Sequence, residues 1–73
     1  MPPLPVLSGA ECARAFGKAG WVVDRQRGSH LVLIRRGNRV TLSVPLHREL
    51  APGTLRSLIR AAAMTVEEFV DLL

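Results

Sequence analysis

The stretch WVVDRQRGSHLVLIRRGNRVTLSV, residues 21–44, sets the architecture. Its β-branched and apolar residues come in short runs separated by Gly28 and by Gly37-Asn38, which is how strands joined by tight turns look. Three strands are expected, at residues 21–26, 29–35 and 39–44. In the third, Val40, Leu42 and Val44 alternate with Thr41 and Ser43, which turns the apolar set inward and the hydroxyls outward. Pro45 ends the ladder because it has no amide to donate. The middle strand is apolar on both sides, with His30, Val32 and Ile34 on one face and Leu31 and Leu33 on the other. Period alone does not choose its wet face.

Helical signals flank the strands. Upstream, Ser8 and Glu11 have the spacing of a capping box, and Leu7 is placed to staple onto Cys12. Cys12, Ala15, Phe16 and Ala19 then recur on one helical face, and Gly20 stops a helix expected over residues 9–19. Downstream, Pro52 and Gly53 close a loop, and Leu55, Leu58, Ile59 and Ala62 repeat the one-face spacing over residues 54–62. Thr65 and Glu68 make a second capping box, with Met64 able to staple onto Phe69, so a short third helix ends the chain. The order of helix, three antiparallel strands, helix and terminal helix is an α+β fold whose helices cover one sheet face and leave the other to solvent.

Seventy-three residues support one core and therefore one domain. Residues 1–7, rich in proline, read as an extended tail and residues 8–73 as the domain. Cys12 is the one cysteine, which excludes an intramolecular disulfide and fits a reducing compartment. No apolar run approaches the roughly 18 residues of a membrane helix, and the start lacks the features of a signal peptide, so a cytoplasmic protein without a membrane partner is expected. Ten Lys and Arg against six Asp and Glu leave a net charge of +4, which makes polyanions plausible partners. Arginine-rich and alanine-rich coding bias would give the same charge, so charge alone does not choose between them.

Two histidines, His30 and His47, are the natural candidates for proton transfer near neutral pH. His30 follows Gly28-Ser29 at the head of the middle strand, where a glycine admits a substrate backbone and a hydroxyl can bond a phosphate oxygen. Arg25, Arg27, Arg35, Arg36 and Arg39 on adjoining strands and turns offer cationic forks to phosphates. The plain alternative is a half-buried strand histidine with a structural hydrogen bond. His47 follows the third strand in Val44-Pro45-Leu46-His47 and is free to face either the open sheet or solvent. Arg56 and Arg60 lie four apart near the start of the second helix, suited to phosphate contact or simply to a solvated face. Trp21, Phe16 and Cys12 read as core. The histidines lack a cluster of carboxylates or thiolates at ligand spacing, so neither a metal nor a cofactor is expected, and no phosphate-loop or dinucleotide motif occurs.

Four segments together resemble the HicA (YcfA-like) toxins of bacterial toxin-antitoxin pairs. They are Gly20-Trp21, Gly28-Ser29-His30, Val44-Pro45-Leu46-His47 and the run from Gly53 through Thr54, Leu55, Arg56, Ser57 and Leu58 to Ile59. The resemblance implies a fold like the double-stranded-RNA-binding domain, metal-independent cleavage of mRNA, and a HicB-type antitoxin as partner. It also implies that His30, the histidine of the Gly-Ser-His segment, is catalytic. The proline-rich start and Trp21 depart from that pattern. A non-catalytic RNA-binding module of the same fold is the rival reading, and dispensability of His30 would distinguish it.

Overall fold

The computed structural model describes residues 3–73. Met1 and Pro2, part of the expected tail, lie outside the described residues. The chain runs α1 (Gly9–Lys18), β1 (Val22–Arg27), β2 (His30–Ile34), β3 (Leu42–Pro45), α2 (Pro52–Ala61) and α3 (Val66–Val70). The strands form one antiparallel sheet in the order β1-β2-β3. This is the expected α+β arrangement, a double-stranded-RNA-binding-domain-like order with a terminal helix added.

Both capping boxes form. Ser8 Oγ accepts from the Glu11 amide while Glu11 Oε1 accepts from the Ser8 amide, and Thr65 and Glu68 do the same for α3. Each box satisfies two amides that a helix start otherwise leaves without partners. The α2 helix begins two residues earlier than expected because Pro52 occupies its first turn, where a missing amide costs nothing.

The core lies between the sheet and the helices. Leu33 and Leu42 are paired across β2 and β3, as are Leu31 and Val44, and these face Cys12, Ala15 and Phe16 of α1 and Leu55, Leu58 and Ile59 of α2 within one apolar cluster. Phe69 of α3 is fully buried in the same cluster, its ring 4.9 Å from that of Phe16 and tilted by 52°. Trp21 is also buried and precedes β1 rather than starting it. Leu7 belongs to the core, and its carbonyl accepts from the Leu50 amide at 2.8 Å. The proline-rich segment is therefore stitched onto the domain at its end.

The third strand corrects one expectation. It starts at Leu42 rather than residue 39, and Val40 is 44% exposed instead of facing inward. The Asn38 side-chain oxygen accepts from the Val40 amide at 2.9 Å, a local turn that competes with the ladder for the same backbone.

Candidate functional site

The pairing decides which side of β2 is wet. Leu31 and Leu33 belong with the helix-side cluster, so alternation puts His30, Val32 and Ile34 on the opposite face, where His30 and Ile34 are exposed and Val32, in the middle of the sheet, is buried. Across the sheet, His30 stands between Arg27 of β1 and Pro45 of β3. The next row is Arg25, Val32 and Ser43, and Val22 beside Ile34 follows. His30 is exposed, so its imidazole is accessible at the mouth of the β1–β2 hairpin.

That hairpin turns on Gly28 and Ser29, the two residues between the paired Arg27 and His30. Gly28 has φ +58°, a positive value at the first central position that suits a type II′ turn. The Gln26 side-chain amide donates to the Gly28 carbonyl at 2.9 Å and braces the turn. The Ser29 carbonyl accepts from the Leu46 amide at 2.7 Å. This bond ties the segment carrying Pro45 and His47 to the head of β2, so both histidines belong to one end of the sheet.

The other predicted residues divide by position. Arg25 and Arg27 share the His30 face, but Arg25 forms an ion pair with Asp24, the extra residue where the β1–β2 register shifts. Such an exposed pair contributes little to stability and can be exchanged for a phosphate. Arg35 and Arg39 lie beyond the far end of β2, which at five residues separates them from His30 by about 13 Å or more. Arg35 Nε instead lies near Gly20, 3.5 Å from where a Cβ on that residue would stand. Arg56 and Arg60 belong to the helical layer, where with Ile59, Met64 and Val66 they line a cavity of about 400 Å³. The structure therefore gathers Arg25, Arg27, Gly28, Ser29, His30 and the His47 segment, and leaves Arg35, Arg39, Arg56 and Arg60 elsewhere.

Two residues at this end carried no functional signal in the sequence. Pro45 is paired with His30, although it read as a strand terminator. Gly9 donates its amide to the His47 carbonyl at 2.9 Å, although it read as an ordinary first helical residue. Both roles depend on contacts between residues more than ten positions apart, which local pattern cannot register. Among the described residues no three His, Cys, Asp or Glu side chains are grouped as metal ligands would be, and no helix is long and apolar enough to cross a membrane.

No curated protein matches the chain. A solved chain from a toxin-antitoxin complex of Streptococcus pneumoniae has 27% identity and a TM-score of 0.70, with 80% of this chain and 98% of that one covered. Residues 9–64 match the family described as HicA toxin of bacterial toxin-antitoxin, a span that includes every segment gathered around His30. The chain belongs to the HicA family of bacterial toxin-antitoxin toxins.

Proposed function

We propose that the protein is an endoribonuclease that cleaves mRNA without a metal ion, with His30 as its general base. The carrying observation is the exposed His30 on the open sheet face, flanked by Arg27 and adjoined by the Gly28-Ser29 turn. A neutral imidazole there takes the proton of an RNA 2′-hydroxyl, and the oxygen so freed attacks the adjacent phosphorus. The new bond is O2′–P, the broken bond is P–O5′, and the leaving 5′-oxygen takes up a proton. The products are a 2′,3′-cyclic phosphate and a 5′-hydroxyl. Arg27, together with Arg25 released from Asp24, holds the phosphate and stabilises its developing charge. His47, in the segment tied to Ser29, is the candidate donor to the leaving oxygen. RNA supplies its own nucleophile, so DNA is not cut.

The partner follows from the same face. The similar solved chain comes from a toxin-antitoxin complex, and a HicB-type antitoxin covering the open sheet would exclude RNA and offset the positive charge.

The test is cleavage of a long mRNA by the wild-type chain and by His30→Ala, in EDTA, with end-group analysis and a circular-dichroism melt. Loss of cleavage by a folded variant and 5′-hydroxyl ends are expected. Full activity of the folded variant would instead favour a different catalytic group, and RNA binding without any cleavage would favour the non-catalytic module. Ends bearing 5′-phosphate, or activity that needs a divalent ion, would overturn the 2′-hydroxyl route.

A further inference from the structure

Gly9 is where the first helix touches the head of the sheet. Its amide donates to the His47 carbonyl at 2.9 Å. A Cβ added there would fall inside the Pro45 carbonyl oxygen, and would stand 2.9 Å from the Pro45 carbonyl carbon and 3.0 Å from Leu46 Cα. All three are backbone atoms, so no flexible side chain can swing away to make room. The same short segment is held from its other side by the Leu46 amide, which donates to the Ser29 carbonyl at 2.7 Å. Pro45, Leu46 and His47 are therefore clamped between the start of α1 and the residue preceding His30. Pro45 is itself the cross-strand partner of His30.

We infer that Gly9 is a positioning residue: by its lack of a side chain and its amide bond it seats residues 45–47 against the head of β2, and so sets His47 relative to His30. The inference rests on the ribonuclease reading above. Gly9 touches no substrate and acts only through the segment it holds. Any larger residue at this position must push the 45–47 backbone outward or lift the start of α1, and either movement shifts the two histidines relative to one another. A misplacement of about 1 Å between reacting groups can cost about a hundredfold in rate, while Arg25 and Arg27 sit on β1, outside the segment that would move.

The contrast is with Gly17, in the same helix, exposed and with open space where its Cβ would go. Gly17→Ala should leave cleavage unchanged. Gly9→Ala should lower kcat on a defined RNA about 10- to 100-fold, with KM altered about twofold at most. The imidazole NMR signals of His30 and His47 should move in Gly9→Ala and stay put in Gly17→Ala. A second variant meets the case in which Gly9→Ala folds poorly. A chain with glycolate in place of Gly9, assembled by ligation at the Glu11–Cys12 junction, adds no Cβ and deletes the amide that donates to His47; it also weakens the Ser8 carbonyl that accepts from the Cys12 amide at 3.0 Å, a loss that a circular-dichroism melt reads separately. It too should lose kcat rather than affinity and shift the histidine signals.

Wild-type kcat in either folded variant overturns the inference, as does activity in both variants that merely follows the unfolded fraction. If the wild-type chain cleaves no RNA, the ribonuclease reading fails separately. The histidine signals then decide the geometry alone, and unchanged signals in the folded variants overturn the positioning role as well.

Discussion

Cys12 and Glu11 are neighbours with opposite environments. Burial pushes the Cys12 thiol up to about 12, so almost no thiolate forms near neutral pH and the residue behaves as a small apolar core group. Thiol reagents should label it only on global unfolding, and the labelling rate should rise with denaturant. Rapid labelling of the native protein would show an opening of α1. Glu11 is exposed, and the Ser8 amide followed by the Ser8 hydroxyl holds its carboxyl below the usual carboxylate range. A folded-state value below the unfolded one stabilises the protein fully above the unfolded value, and the contribution is lost as pH falls through the folded value. The Tm gap between wild type and Glu11→Gln should therefore be widest at neutral pH and close in acid. A gap independent of pH would show that capping by the uncharged amide is equivalent.

At the scale of elements, α1 and α2 end in the same backbone closure built from different residues. Gly20 follows α1 with φ +96°, and the Trp21 amide returns to the Phe16 carbonyl. The end of α2 repeats this closure with the Met64 amide on the Ile59 carbonyl, but the left-handed residue is Ala63, at φ +58°. A Cβ in that conformation is strained, and glycine is the residue that fits it. Ala63→Gly should raise stability by about 0.5–1 kcal/mol, read as a shift in the denaturation midpoint. An unchanged or lowered midpoint would show that the flexibility glycine adds to the unfolded chain outweighs the relief. Capping boxes, helix stripes and the three strands were legible because each is written in residues within four positions of one another. The start of β3 was not, since the Asn38 side chain takes the Val40 amide that the alternating pattern had assigned to the ladder.

For the whole molecule, α3 matters out of proportion to its five residues. Phe69 is fully buried against Phe16, so Phe69→Ala should cost about 3–5 kcal/mol in a denaturant melt. A much smaller cost would mean that α3 is peripheral to the core. The charge of +4 should make RNA binding fall steeply with salt. Arg27→Ala should reduce that salt slope by about one phosphate contact, and Arg35→Ala or Arg39→Ala should spare cleavage because they lie at the other end of the sheet. In a complex with the antitoxin, hydrogen exchange should slow across β1 and the head of β2. Protection confined to α1 and α2 would place the partner on the helical side.

The order of elements, the apolar residues that form most of the core, and the two histidines as the candidates for proton transfer were determined by the sequence by itself. These depend on periodicity, capping and residue type, which act over a few neighbouring positions. Tertiary structure decided the rest. Because β2 is apolar on both faces, only packing of Leu31 and Leu33 against the helices put His30 on the open side. Cross-strand register and strand length, which no single residue encodes, brought Arg25 and Arg27 onto the face of His30 and left Arg35 and Arg39 at the distant end. The place of Gly9 behind the His47 segment came likewise from the fold, because a close approach of two backbones exists only once distant parts of the chain have met.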